Sequence, residues 1–215
     1  MDKNIISLIR HQLQLPLPGR AAQYKMATST RMPYKEVEAP DDVRLASVLC
    51  LLYPHNSEWH IPLIQRVVAV NDRHSGQIGF PGGKLEETDH TYADGALREA
   101  NEEIGVPRED IEILGAMTPL YIPVSNFQVF PFIGYISYRP DFVPQVSEVA
   151  DIIEVSLDDL VAPDTLKYKS MTFKNHLKIK DVPHFDVSGK TVWGATGMML
   201  SEFVEIVNQV KSSTI

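Results

Sequence analysis

Three glutamates near the middle of the chain, Glu99, Glu102 and Glu103, have a spacing that would bring them together on one helix. Residues three and four positions apart lie on the same helix face, where like charges repel one another. Ordinary surface helices mix charges of both signs, so this cluster is a candidate site for a hard divalent cation, which prefers oxygen ligands and shares them with phosphates. The alternative is an acidic face that only contacts solvent.

The residues around the cluster favour metal binding. Arg98 directly precedes it and can pair with a carboxylate, which would fix the orientation of that ligand. Upstream, Gly82 and Gly83 follow Pro81, and glycine lets the backbone come close to a ligand. A glycine-bearing loop that runs into an acid-faced helix could form a cradle for a metal-bound diphosphate.

The glutamates need a helix to position them, and the pattern of residues 91–105 predicts one. Apolar residues recur there at helical spacing and are expected to face the core; they are Ala93, Ala96, Leu97, Ala100 and Ile104. The glutamates fall on a different face of the same helix, which leaves them available to a ligand.

The other elements predict a mixed α/β protein. Runs of β-branched and apolar residues predict strands within residues 44–53, 59–70, 111–117, 128–138 and 152–155. Helices are expected at residues 3–14 and 197–211, and the glycine-rich residues 71–83 are expected to be mostly loop. Since strands and helices do not alternate regularly, a series of βαβ units is not expected. Residues 1–41 are interpreted as an N-terminal helix and arm, and residues 42–215 as one domain.

The composition excludes several classes of function. The chain has 215 residues and a formal net charge of −8, which argues against a general affinity for nucleic acid or an anionic membrane. It has one cysteine, Cys50, so it has neither an internal disulfide nor a cysteine-based zinc cluster. We find no signal peptide and no run of about 20 apolar residues, and these features predict a cytoplasmic protein.

The segment from Gly79 to Val106 resembles the Nudix box, G-x5-E-x7-R-E-U-x-E-E-x-G-U, in which U is a bulky aliphatic residue. Residues 98–106 match the second half of the box position by position, with Ala100 at the first U. In the first half, the glutamate of the box is expected after five intervening residues, and counting from Gly83 this position holds Asp89. The spacing from Asp89 to Arg98 is one residue longer than in the box. An added loop residue leaves the helix register intact, but it leaves the role of Asp89 undefined.

The resemblance implies an α/β/α sandwich with a mixed central sheet and hydrolysis of a nucleoside diphosphate linked to another group. It implies Mg²⁺ or Mn²⁺ held by Glu99, Glu102, Glu103 and Gly83, with Arg98 orienting the carboxylates. Such a cation neutralises diphosphate oxygens and lowers the pKa of a bound water. Our candidate for a general base is Glu148, whose alternative is an exposed loop glutamate without a role.

Segments outside the box resemble the coenzyme A diphosphatase subfamily, and together they cover most of the chain. They are residues 14–26, 74–83, 118–134, 147–160 and 192–200. This likeness implies cleavage of coenzyme A or a derivative into 3′,5′-ADP and a 4′-phosphopantetheine compound. The alternative is a hydrolase of ADP-ribose, NADH or nucleoside triphosphates. A nucleotide sensor without catalysis is a further alternative, but such a module would be expected to have lost the box carboxylates.

One motif of that subfamily, L-L-T-x-R-[SA]-x3-R-x3-G-x3-F-P-G-G, has arginines where this chain has Val67 and Asp72. Arginine suits bidentate recognition of phosphate, whereas an aspartate would repel the 3′-phosphate of coenzyme A. Arg66 and Arg73 lie one residue away and are candidate replacements. A shift of one residue along a strand, however, points the side chain to the opposite face.

Further substrate contacts are expected around the glycine pair, Gly82 and Gly83. Lys84 follows them directly and is a candidate for contact with phosphate. Phe127 is a candidate for stacking on adenine, although an aromatic residue near a strand more often packs in the core. The predicted partner is thus a small nucleotide, with no nucleic acid or membrane, and the sequence allows a homodimer.

Overall fold

The computed structural model describes residues 4–28, 39–68, 76–172 and 178–212. Its helices are α1 (Ile5–Gln12), α2 (Gly19–Gln23), α3 (Tyr92–Ile104), α4 (Leu157–Val161) and α5 (Gly194–Ser212), with 3₁₀ turns at Tyr24–Met26 and Arg108–Asp110. Its strands are β1 (Arg44–His55), β2 (Glu58–Arg66), β3 (Ile78–Gly79), β4 (Gly82–Lys84), β5 (Glu112–Ala116), β6 (Leu120–Ile122), β7 (Phe127–Tyr135), β8 (Val149–Ser156), β9 (Leu166–Thr172), β10 (Lys178–Val187) and β11 (Lys190–Val192).

Strand β1 is the centre of the main sheet. It pairs in parallel with β7, which sets Ser47 opposite Phe130, and antiparallel with β4, which sets Ser47 opposite Gly83. The end of β1 forms a hairpin with β2 through Asn56 and Ser57, whose φ angles are 48° and 65°. Two positive φ angles suit the two-residue turn of a twisted hairpin. The sheet is therefore mixed, and β1 joins the glycine segment to it.

Helices cover both faces of this sheet. On one face, α3 packs its buried Ala96, Ala100 and Ile104 against Leu49 and Leu51 of β1. On the other face, α1 and α5 lie over a larger apolar cluster, whose members include Ile5, Ile9, Cys50, Ile61, Phe203 and Val207. The predicted α/β class, an α/β/α sandwich with a mixed central sheet, is confirmed.

Helix α3 begins and ends at strong local signals. Thr91 accepts a hydrogen bond at its hydroxyl from the N–H of Asp94 (3.1 Å), and its own N–H donates to the Asp94 carboxylate (2.8 Å). This reciprocal capping satisfies two amides at the start of the helix. At the other end, Gly105 has a φ of 74°, the left-handed conformation that commonly ends a helix. The predicted helix is thus confirmed, and its register fixes which face carries the glutamates.

The N-terminal segment packs on α5 and contains α2, a helix that the sequence did not predict. The connection centres on Glu202, which is fully buried. Its carboxylate accepts hydrogen bonds from the N–H of Gly19 (3.1 Å), from Nε2 of Gln23 (2.8 Å) and from the hydroxyl of Thr118 (2.6 Å). These bonds join α2, α5 and the loop before β6. The division at residue 41 stays a prediction.

Several bounds differ from those predicted. Strands β3 and β4 lie within the segment expected to be loop, since pairing with β2 and β1 adds hydrogen bonds that composition does not show. Strand β2 ends at Arg66, and α5 begins at Gly194, earlier than expected. The sheet of β9–β11 was not predicted. Among the helices of the described ranges, none is both long enough and apolar enough to cross a bilayer.

Candidate active site

Glu103 is the innermost carboxylate of the predicted cluster. The residue is only 2% exposed, and the N–H of Gly82 donates a hydrogen bond of 2.8 Å to its Oε2. Its Oε1 lies 3.6 Å from Nη1 of Arg66. Burial, with the nearby charges of Glu99 and Glu148, raises the pKa of Glu103 to about 7, against the opposite effects of Gly82 and Arg66.

Glu99 lies against the glycine segment. A Cβ added to Gly83 would stand 2.4 Å from Oε1 of Glu99, so a side chain there would displace this carboxylate. Gly82 is more strictly constrained, because its φ is 154° and a Cβ there would lie 2.4 Å from a backbone atom, the carbonyl oxygen of Ser47. Burial also raises the pKa of Glu99, although Arg98 partly offsets the effect. The glycines thus let the Glu99 carboxylate and strand β1 come close to the backbone of β4.

Arg98 connects the two outer carboxylates. Its Nη1 donates to Oε1 of Glu99 (3.0 Å) and to Oε2 of Glu102 (3.1 Å). The guanidinium is almost fully buried, whereas the side chain of Glu102 is 52% exposed. The three carboxylates therefore lie at different depths, from the solvent-facing Glu102 to the enclosed Glu103.

Asp89 is the partner of Arg98 that the sequence did not identify. Its Oδ1 accepts from Nε of Arg98 (3.1 Å) and its Oδ2 accepts from Nη2 (3.0 Å). The same Oδ2 accepts from the N–H of Glu86 (2.9 Å). The hydrogen bonds from Arg98 lower the pKa of Asp89. The sequence did hold a signal for this pair, since Asp89 stands at the glutamate position of the box. It is an aspartate, however, and it is separated from Arg98 by one more residue than in the box.

Glu148, the candidate base, lies on the loop just before β8. Its N–H donates to the carbonyl of Gln145 (2.9 Å), and its carbonyl accepts from the N–H of Val67 (2.9 Å). The side chain is exposed. Its charge contributes to the raised pKa of both Glu99 and Glu103, so its carboxylate lies close enough to this cluster for their charges to interact.

The candidate substrate contacts Arg66, Lys84 and Phe127 differ in how they lie relative to the carboxylates. Arg66 points to Glu103 and so faces the carboxylates, which alternation along the strand did not lead us to expect. Lys84 is exposed, and its carbonyl accepts from Nη2 of Arg98 (3.0 Å). Phe127 lies beneath the guanidinium of Arg44, 4.1 Å from its ring centre, so one face of its ring is already covered.

The candidate contact Arg73 lies outside the described residues, as does Asp72, which replaces an arginine of the subfamily motif. Within the described ranges, no three His, Cys, Asp or Glu side chains form a ready-made metal-binding group. The carboxylates of Glu99 and Glu102 point to Arg98, and that of Glu103 points to Gly82. The carboxylate oxygens nevertheless suit a hard cation, because a divalent charge would stabilise the crowded Glu99 and Glu103, whose pKa values are raised.

The fold and the site together define an α/β/α protein with a carboxylate-bearing helix under a glycine segment. A family model described as the NUDIX domain matches residues 43–174, which is more than half of the chain. The chain therefore belongs to the Nudix family, whose members hydrolyse nucleoside diphosphate derivatives and generally use divalent metal ions.

Curated relatives agree with this assignment. An uncharacterized Nudix hydrolase, NudL of Pectobacterium atrosepticum, is 34% identical over 140 residues, which cover 65% of this chain and 71% of the relative. Nudix hydrolase 3 of Caenorhabditis elegans is 32% identical over 176 residues, covering 75% and 72%. Among solved structures, the Nudix hydrolase RenU of M. smegmatis aligns with a TM-score of 0.51 and 15% identity, over 77% of this chain and 86% of RenU. That likeness shows the fold alone.

Proposed function

We propose that this chain hydrolyses the diphosphate bond of coenzyme A or a coenzyme A derivative, giving 3′,5′-ADP and a 4′-phosphopantetheine compound. The observation that supports diphosphate hydrolysis is the meeting of Glu99 and Glu103 beneath Gly82 and Gly83, where Arg66 adds a positive charge. Metal, diphosphate and water can come together there because the glycines have no side chains to exclude them.

In this proposal, Glu99, Glu102 and Glu103 hold Mg²⁺ or Mn²⁺, with a backbone oxygen from Gly83. The bound cation would neutralise diphosphate oxygens and make a bound water more acidic. Arg98 keeps two of the carboxylates in place through its Nη1. Arg98 thereby orders the side chains of Glu99 and Glu102 before the metal binds, so that less conformational entropy is lost on binding.

Arg66 and Glu148 act on the substrate side of the site. Arg66 lies near Glu103 and would contact a phosphate oxygen of the substrate once Glu103 has bound the metal. Glu148 is our candidate for the base that accepts a proton from the attacking water, since it is exposed and close to the cluster. Lys84 and Phe127 are weaker candidates for the phosphate and the adenine. Arg73 belongs to the same set by sequence.

The assignment to coenzyme A rests on the segments that resemble the coenzyme A diphosphatases. Those segments contact one another in the structure. Gln23 of residues 14–26 donates to the carbonyl of Thr118 in residues 118–134 (2.8 Å), and Met26 packs against Gly197 of residues 192–200, where an added Cβ would lie 3.3 Å from its Cε. The resemblance therefore involves one packed unit on the α5 side of the sheet, which supports a shared architecture beyond the box.

A second candidate substrate class is favoured by one feature of the site. Val67, which replaces an arginine of the subfamily motif, supplies only its N–H to the loop of Glu148. A site with fewer arginines suits a diphosphate without a 3′-phosphate, such as ADP-ribose or NADH. The position of Arg66 beside Glu103 is the counter-argument, since it restores one arginine to this part of the site.

A substrate panel tests the proposal. Purified protein is incubated with coenzyme A, dephospho-coenzyme A, acyl-coenzyme A, ADP-ribose, NADH and nucleoside triphosphates, first with Mg²⁺ and then with Mn²⁺, and products are identified by mass. Release of 3′,5′-ADP and phosphopantetheine, lost in Glu103→Gln, is the expected result. Cleavage of ADP-ribose or NADH with coenzyme A untouched would overturn the proposed substrate. Light scattering of the same samples tests the homodimer.

A further inference from the structure

The C-terminal end of helix α3 is hydrogen-bonded to the loop that precedes β8. The last four carbonyl groups of a helix have no partner within the helix itself. In α3 the carbonyl of Glu103 accepts from the N–H of Gln145 (3.0 Å), and that of Ile104 accepts from the N–H of Val143 (3.0 Å). Residues 137–148, here called the β8 loop, therefore supply donors to two carbonyls that α3 alone would leave unpaired.

Gln145 is the central residue of this connection. Its N–H donates to the carbonyl of Glu103, and its own carbonyl accepts from the N–H groups of Glu148 (2.9 Å) and Val149 (2.8 Å). Two backbone hydrogen bonds thus lead from the innermost glutamate of the site to Glu148, the candidate base. Since a hydrogen bond restricts both distance and angle, the backbone of Gln145 sets where Glu148 lies relative to α3.

Backbone groups hold this part of the β8 loop in place. The residues from Val143 to Glu148 are all exposed, so burial of their side chains contributes little to the position of the loop. Pro144 stands between the two residues that donate to α3, and proline has no N–H that would need a partner. The loop position therefore depends on the hydrogen bonds of Val143 and Gln145.

Gly105 gives the β8 loop room to approach the helix. Its φ is 74°, and a Cβ at this position would lie 2.9 Å from the Cβ of Val143 and 3.3 Å from the backbone nitrogen of the same residue. A side chain at position 105 would thus push Val143 away from α3 and strain the bond that Gln145 makes two residues later.

We propose that Gln145 is a positioning residue for catalysis: its backbone N–H and carbonyl join the end of the glutamate-bearing helix to Glu148 and hold that candidate base beside the cluster. The inference rests on the proposed function, because it takes Glu148 as the group that accepts a proton from the attacking water. Gln145 acts through its backbone, so its side chain is expected to be dispensable.

The test is Gln145→Pro, which removes the N–H that bonds to Glu103 but keeps the carbonyl that accepts from Glu148. A displacement of about 1 Å can cost about 100-fold in rate, and we expect kcat to fall by at least about 10-fold while KM stays within about twofold. Mn²⁺ affinity, measured by electron paramagnetic resonance in titrations of the metal-depleted protein, should stay within about twofold, far from the roughly 10–100-fold loss that disturbed ligands show. A loss of Mn²⁺ affinity as large as the loss of kcat would assign the effect to the metal ligands and overturn the inference.

Two further variants are matched to this one. Gln145→Ala is the conservative variant, which keeps the N–H and should restore the wild-type kcat. Val146→Pro places proline at the next position, whose N–H has no hydrogen-bond partner in the described parts of the chain. This position is the second of the turn that the Glu148 N–H closes, where proline is favoured, so kcat should again match the wild type. Equal losses of kcat in Val146→Pro and Gln145→Pro, or wild-type kcat in a folded Gln145→Pro, would overturn the inference.

A double variant separates positioning from an independent effect. If Gln145 acts through Glu148, then adding Gln145→Pro to Glu148→Gln lowers kcat by less than about twofold beyond Glu148→Gln alone. A further loss of about 10-fold in the double variant would contradict the proposal.

Gly105→Ala displaces the β8 loop from the side of the helix and should also lower kcat by at least about 10-fold. Its control is Gly189→Ala, where φ is similar at 77° but no atom of the described residues lies within 4 Å of the added Cβ. Equal kcat in these two variants would count against the loop contact. Wild-type kcat in Glu148→Gln would overturn this inference and leave diphosphate hydrolysis in place, whereas a wild-type protein that cleaves no diphosphate would overturn the proposed function and this inference with it.

Discussion

The backbone N–H of Gly82 donates a hydrogen bond of 2.8 Å to the carboxylate of Glu103, across the gap between β4 and α3. The two residues come from opposite ends of the box segment, and the bond ties the glycine strand to the last glutamate. Because Glu103 is also nearly excluded from solvent, its pKa is raised to about 7. This raised pKa makes the stability of the folded protein depend on pH.

We expect Glu103 to make the metal-free protein less stable as pH rises from about 4.5 to about 7. In that range the folded state retains a proton that the unfolded state has released, so the free energy of unfolding falls with rising pH. Urea unfolding in EDTA at several pH values measures this effect. Glu103→Gln should gain stability relative to the wild type over the same range. A constant difference between the two proteins across these pH values would contradict the raised pKa.

Glu102→Gln tests the outermost carboxylate. We expect turnover to fall by more than the roughly 10–100-fold typical of changes behind the ligands, since the residue is a proposed ligand itself. The free energy of unfolding should stay within about 0.5 kcal/mol of the wild type, because the side chain is 52% exposed. Steady-state kinetics and urea unfolding measure both. Glu87→Gln, on the exposed part of the loop, is the control, and wild-type turnover in Glu102→Gln would remove Glu102 from the site.

Gly83→Ala is expected to displace the carboxylate of Glu99, because the new methyl group would lie 2.4 Å from Oε1. Mn²⁺ affinity should fall by at least about 10-fold, as for other changes that misplace a ligand. Gly79→Ala is a matched control on β3, where the nearest atom, Oγ1 of Thr196, is 3.7 Å away. If Gly83→Ala and Gly79→Ala bind Mn²⁺ equally well, the close approach of Glu99 is not a requirement of the site.

Arg66→Gln separates metal binding from substrate binding. Removing a positive charge 3.6 Å from Glu103 should strengthen Mn²⁺ binding, whereas the loss of a phosphate contact should raise KM by about 10-fold, the equivalent of about 1.4 kcal/mol. Titration with Mn²⁺ and steady-state kinetics on the substrate that is cleaved measure the two effects. Lys25→Gln, an exposed cation that pairs with Glu205, should change neither. An unchanged KM in Arg66→Gln would exclude Arg66 from substrate binding.

Glu202→Ala is expected to destabilise the protein by at least about 3 kcal/mol, because it leaves several buried donors without an acceptor. The donors belong to Gly19, Gln23 and Thr118. Glu205→Ala, on the same helix, removes only an ion pair with Lys25 and should cost about 1 kcal/mol or less. Chemical denaturation gives the free energy of unfolding of both variants. Similar losses would mean that the buried hydrogen bonds of Glu202 stabilise the protein no more than the surface ion pair of Glu205 does.

Much of the site could be predicted because it depends on local spacing. Helix α3 carries its own capping signals, and its period of apolar residues fixes the face left to Glu99, Glu102 and Glu103. The mixed sandwich followed from a resemblance that the family match and the fold confirm. In both cases the information lies within one short segment of the chain.

The remaining features depend on contacts between distant segments. The direction of Arg66 was missed because β2 ends there, so the alternation of a regular strand no longer decides where the side chain points. The role of Asp89 was missed because it depends on a side chain meeting Arg98 across a loop of unusual length. Helix α2 was missed because Pro16 and Pro18 precede it and Gly19 is its first residue, and its packing against α5 compensates for its short length.

The contact between α1 and α5 joins segments that are far apart in the sequence. Gln12 of α1 donates a hydrogen bond to Gln209 of α5 (3.0 Å), across 197 positions of sequence, and Gln23 reaches Glu202 across 179. During synthesis α1 emerges well before α5, whose apolar residues Phe203 and Val207 belong to the cluster that contains Ile5 and Ile9. Contacts between such distant segments form slowly, and exposed apolar surface favours aggregation in the meantime. The α5 side of the sheet therefore closes only after α5 has been synthesised, and until then its apolar surface needs protection.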